Sequence, residues 1–126
     1  MEFTQGVRFD SLSLSEEMLR ALEKRGYVVS TPVQAGCIPP MLDWRDVTAK
    51  APTGTGKTFA FGIPIIEHIR TDCTDVQAVI LAPTRELAMQ ITAEMREIAL
   101  YKEGIRMVCL YGGQPIGRQI DALKKK

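Results

Sequence analysis

The segment Ala51-Pro52-Thr53-Gly54-Thr55-Gly56-Lys57-Thr58 decides the fold. Before it, Asp46 to Lys50 is short and holds Val47 and Thr48, which suits a buried strand. After it, Phe59, Ile63, Ile66 and Ile69 fall at helical spacing, although Gly62 and Pro64 sit inside the stripe. A glycine-rich turn between strand and helix can aim its backbone N–H groups inward, because glycine tolerates positive φ and lets the backbone approach an anion closely. The helix that starts near Lys57 adds unpaired N–H donors and the positive end of its dipole at the same point. With Gly54 and Gly56 in it, the loop should therefore cradle phosphates. Lys57 would reach the β and γ phosphates, and the Thr58 hydroxyl would ligate Mg²⁺.

The generic P-loop pattern opens with Gly where this chain has Ala51, a departure that keeps the residue small. The loop alone specifies a nucleoside triphosphate and leaves kinases, transporters, GTPases and helicases open. Working outward, Val76 to Ala82 is β-branched and almost continuously apolar, as strands covered on both faces tend to be. A helix from Arg85 to about Tyr101 follows, with Leu87, Ile91, Met95 and Ile98 three or four apart. Ile105 to Leu110 reads as the next strand, Gly112 and Gly113 as a turn, and Ile116 to Lys126 as a helix. Strand and helix alternate three times, which predicts an α/β fold: a parallel sheet with right-handed crossovers, flanked by helices.

Upstream, Ser13 with Glu16 matches a capping box, and Leu14, Met18, Ala21 and Leu22 carry a helix over roughly Leu14 to Arg25, stopped by Gly26. Thr31 and Pro32 open a short helix that Pro39 and Pro40 are expected to interrupt. Residues 1–45 form a helical segment, and 46–126 the layered part.

Lys plus Arg number 16 against 15 for Asp plus Glu, so neither a basic arm nor an acidic tail is present. With 126 residues, 45% of them hydrophobic, one domain with a real core is the limit. No apolar run reaches the roughly 18 residues of a membrane span, and Met1 to Asp10 lacks a signal-like apolar stretch. The expected setting is cytoplasmic, with no membrane partner. Cys37, Cys73 and Cys109 have no close pair and read as reduced packing residues rather than a disulfide or zinc set. His68 lacks partners at metal spacing and is expected to be solvated or packed. Trp44 is read as a local surface feature.

Gln34, on the first turn of the short helix, has one donor and one acceptor group that match adenine N7 and its N6 amine. Guanine places an acceptor where adenine has its donor, so this pairing selects ATP over GTP. Phe9, seventeen positions before Gly26, could stack on the base.

In order, Phe9, Gly26 to Gln34, Ala51 to Thr58, Pro83-Thr84-Arg85-Glu86-Leu87-Ala88 and Gly112-Gly113 resemble the Q motif, motif I, motif Ia and GG motif of DEAD-box ATP-dependent RNA helicases. The resemblance covers essentially the whole chain but only the first part of the family's first RecA-like domain, with residues 1–45 as its helical Q-motif segment. It implies that Phe9 and Gln34 contact adenine, that Thr53 to Thr58 hold phosphates and Mg²⁺, and that Thr84, Arg85, Gly112 and Gly113 touch RNA. Thr84 and Arg85 open a helix directly after a strand, so N–H donors, a hydroxyl and a guanidinium converge there, while the glycines allow close approach of a sugar-phosphate chain. Backbone contacts of this kind are salt-sensitive and carry little sequence preference.

No Asp-Glu-x-Asp string occurs in the chain. Phosphoryl transfer needs such a carboxylate and a cation for the transition-state charge. The chain alone is therefore expected to bind ATP without helicase-rate hydrolysis. A non-catalytic ATP- or RNA-binding module is the second reading, and a small-molecule kinase, disfavoured by Gln34 and the Arg85 segment, the third. In the family's sheet the strands of the missing motifs lie beside the P-loop strand, so self-association by edge pairing or swapping is also expected.

Overall fold

The computed structural model describes residues 6–52 and 56–124. Five α-helices carry it: α1 Glu16–Lys24, α2 Pro32–Leu42, α3 Lys57–His68, α4 Arg85–Ile98 and α5 Ile116–Lys124. A 3-10 turn over Phe9–Ser11 precedes them.

α1 begins two residues later than the capping-box reading placed it. Ser13 sits at φ 61, and Ser15 takes the cap by accepting from Met18 N at 3.2 Å. Ser15 is fixed in turn by α3, because its backbone N–H and its hydroxyl both donate to the Glu67 carboxylate, at 2.6 and 2.7 Å. Glu16 and Glu17 complement the positive end of α1 and Lys24 its negative end. Gly26, at φ 78, ends it as expected.

α2 opens on a complete Thr31/Gln34 capping box with Pro32 in the first turn. It then runs through Pro39 and Pro40 instead of stopping. Neither proline can donate to the carbonyl four residues back, and an interior proline costs a helix about 3 kcal/mol. Burial of Val33, Cys37 and Ile38 against α3 offsets this cost. The helix is closed by Asp43 N on Pro39 O and Arg45 N on Pro40 O, at 3.2 and 2.9 Å.

α3 is the central element. It packs on α2 and α4 and buries Phe59, Ile63 and Ile66 in a core shared with Phe9, Met18, Leu22, Ile38, Ile91, Met95 and Ile98. Gly62 lets α4 come close, since a Cβ there would stand 3.4 Å from Met95 Cγ and Ile98 Cδ1.

The expected strands differ. Among the described residues, 46–50, 76–82 and 105–110 form no ladder, and β-pairing is limited to one antiparallel bridge, Arg8 with Val29. A strand has no stability of its own: its N–H and C=O groups need a neighbour on the sheet, and its side chains need cover. Here Val76, Val79 and Leu81 are 74%, 76% and 91% exposed, so the apolar pattern that marks a buried strand finds nothing to bury against. The Arg8 bridge is local. Ser30 N donates to Val7 O at 2.7 Å, and Gly6 runs so close that a Cβ would collide with Ser30 O.

Candidate nucleotide and nucleic-acid site

The N-termini of α2 and α3 meet at Gln34. As the third residue of α2, its side-chain Oε1 accepts from Thr31 N at 2.9 Å, while its own N–H points to Thr31 Oγ1 at 3.4 Å. Its Nε2 crosses to α3 and donates to Gly56 O at 3.1 Å. The side chain is 4% exposed, so a polar amide has been buried at this junction with both ends satisfied. An amide has two N–H donors and two carbonyl lone pairs. One of each is spent, and one of each remains, which is the donor–acceptor pair a purine edge asks for.

Gly56 shows why glycine stands there. It is the N-cap of α3 at φ 81, and an added Cβ would lie 2.3 Å from Gln34 Nε2. Both the backbone angle and the space exclude a side chain. Lys57 is exposed and Thr58 half-buried on the first turn that follows. That turn carries no acidic residue, as those of α2 and α5 also carry none, so α3 brings no counter-charge of its own to its positive pole. Ala51, where the generic pattern has Gly, packs against the small cluster of Val33, Cys37 and Ala60. Thr53, Gly54 and Thr55, three of the expected phosphate contacts, lie outside the described residues. The groups present fit a triphosphate: a helix pole without a counter-charge, a neighbouring Lys57, and a Thr58 hydroxyl suited to Mg²⁺.

Phe9 is placed differently from expectation. Its ring is 3% exposed within the core, so it offers no open face for stacking. Tyr27 is the ring the sequence reading passed over. It is 40% exposed and stands edge-on to Phe59 of α3, with centroids 5.4 Å apart. Its only sequence signal is its place directly after Gly26.

The other expected residues gather at α4. Thr84 caps it, accepting from Leu87 N at 3.2 Å, and is exposed. Arg85 pairs with Glu86 at 3.2 Å, both well exposed, an interaction screened by solvent and worth about 0–1 kcal/mol. A ligand phosphate competes easily with such a pair. Gly113, at φ 88, comes so near that a Cβ would be 2.9 Å from Arg85 Nη1, while Gly112 faces open space. The structure thus brings Thr84, Arg85 and the glycine pair together from segments far apart in the chain.

A family model described as DEAD/DEAH box helicase matches residues 31–126. The DEAD-box ATP-dependent RNA helicase CshA of Geobacillus kaustophilus (strain HTA426) is 50% identical over 117 residues, which are 93% of this chain and 25% of that protein. CshA of Bacillus subtilis (strain 168) is 45% identical over 119 residues, covering 94% of this chain and 24% of its own length. Among solved structures, a DEAD box protein from the hyperthermophile Methanococcus jannaschii superimposes with a TM-score of 0.83 at 36% identity, over 96% of this chain and 33% of that one. The RNA-helicase Prp28 from Chaetomium thermophilum, bound to ADP, gives 0.80 at 36% identity over 92% of this chain and 29% of that one. The chain spans about a quarter of the length of the curated relatives it matches.

Proposed function

Because the chain belongs to the DEAD/DEAH box helicase family, we propose that it is the ATP- and RNA-binding N-terminal part of an ATP-dependent RNA helicase that remodels RNA duplexes in the cytoplasm. The observation that carries this reading is the buried Gln34 amide, held between the cap of α2 and Gly56 with one donor and one acceptor to spare. Adenine takes that pair and guanine does not. The triphosphate would bind at the N-terminus of α3, held by residues 53–58, with Lys57 reaching its β and γ phosphates and the Thr58 hydroxyl available to hold Mg²⁺. Mg²⁺, when bound, would supply neutralisation of the phosphate charge. Thr84, Arg85, Gly112 and Gly113 hold the RNA backbone.

In the complete protein, 46–50, 76–82 and 105–110 pair into the parallel sheet of a RecA-like domain. Residues 1–45 serve as its Q-motif segment, and 46–126 as the first part of that domain. No helix among the described residues is long and apolar enough to cross a membrane. The lack of an Asp-Glu-x-Asp string favours a second reading for these residues taken alone: a module that binds ATP and RNA without turnover.

Competition against a fluorescent adenine nucleotide tests the proposal. ATP should displace it at a concentration about tenfold or more below that of GTP, one bidentate pair being worth about 1–3 kcal/mol. Gln34→Ala should erase the difference. Equal displacement by both nucleotides from the unaltered chain would overturn the assignment.

A further inference from the structure

α2 and α3 run parallel and are fastened at both ends. At the N-terminal end, Gln34 of α2 donates to Gly56 O, the cap of α3, at 3.1 Å. At the other end the donation is reversed: His68, the last residue of α3, places Nε2 2.9 Å from Met41 O on the last turn of α2. A carbonyl only accepts, so Nε2 carries the proton. Trp44 N donates to the same oxygen at 3.1 Å, which fills both its lone pairs. The Trp44 ring stacks on the imidazole, with centroids 3.7 Å apart and planes at 27°.

This fastening has a cost and a purpose. Trp44 sits at φ 61, a strained setting for a bulky residue, and its indole is 77% exposed, so solvent gains nothing from the arrangement. What it supplies is restraint where α2 lacks its own. Pro39 and Pro40 have no N–H for the carbonyls of Ala35 and Gly36, so the C-terminal half of the helix is short of two rungs.

We infer that the Trp44–His68 stack is a positioning strap: it fixes the C-terminal end of α2 on α3 and thereby holds Gln34, about 10 Å back along the helix from Met41, in register with Gly56. His68 and Trp44 touch no nucleotide; they act on base selection through Gln34. This rests on the nucleotide reading above, and its test has an arm that does not.

The first arm is hydrogen exchange at the Thr31 amide, which Gln34 Oε1 holds, with the Leu87 amide, held by Thr84 on α4, as the control. His68→Leu keeps a side chain of similar bulk and removes both the donor and the ring that Trp44 stacks on. It should speed exchange at Thr31 by severalfold and leave Leu87 unchanged, and His68→Gln, which keeps an N–H, should restore Thr31 in part. Unchanged exchange at Thr31, or equal acceleration at both amides, would overturn the strap. The second arm compares ATP and GTP binding. His68→Leu should cut the ATP preference about threefold or more while leaving affinity for inorganic triphosphate as it was. A preference retained in full sinks the strap, whereas absence of any preference in the unaltered chain sinks the nucleotide reading and leaves the exchange result to decide.

Discussion

An alanine at Gly56 would carry its methyl to 2.3 Å from Gln34 Nε2 while the backbone holds φ 81. Two penalties then combine: left-handed strain of about 1–3 kcal/mol for a residue with a Cβ, and displacement of a buried amide from its partners. Gly56→Ala should lower ATP affinity at least tenfold and weaken the ATP preference as well, because it strikes both the proposed phosphate turn and the proposed base reader. Titration with ATP and GTP checks this, and a variant that lost affinity equally for both would mean that Gln34 had not moved. At this scale much was legible. Gly56, Lys57 and Thr58 announce themselves by spacing, and Gln34 by its place three residues after a cap. The contact between Gln34 and Gly56 was not legible, since it joins positions 22 apart and no local pattern encodes it. Phe9 misled for a related reason: spacing gives a residue's place along the chain, whereas burial is set by what the rest of the chain lays over it.

Thr31→Ala tests an element rather than a contact. The Thr31 hydroxyl takes the Gln34 N–H and the Gln34 carboxamide returns to Thr31 N, so the cap and the proposed base reader are one device. Loss of such a cap costs about 0.5–2 kcal/mol. The variant should melt several degrees lower and also lose ATP preference, whereas Thr84→Ala, a cap of the same kind on α4, should lower the melting temperature alone. Paired calorimetry and nucleotide titration separate the two. Helices were the well-read elements because period, cap and stop signals are local: α1, α2, α3 and α4 all appear within a few residues of expectation. The misreadings have tertiary causes. Ser15 displaces Ser13 as the cap because Glu67 of α3 holds it, and α2 outlasts two prolines because α3 covers it.

Across the whole molecule, the pattern that failed is the one that depends on distant partners. Residues 76–82 carry the composition of a doubly covered strand, yet Val76, Val79 and Leu81 are almost fully open, and α5 buries none of its residues although Ile116, Ile120 and Leu123 form one stripe. Composition records the neighbours a segment requires; it cannot supply them. Unpaired backbone edges with apolar side chains are templates for another chain, and an exposed stripe of this length invites cover. At micromolar concentrations the 126-residue chain should therefore self-associate, giving a sedimentation coefficient that rises with concentration. Val79→Lys with Leu81→Lys should shift it toward the monomer, because a charge on each apolar position penalises burial without touching α1 to α4. A monomer that sediments the same at every concentration and melts cooperatively would show instead that the helical core around α3 is sufficient and that these segments stay solvated without consequence.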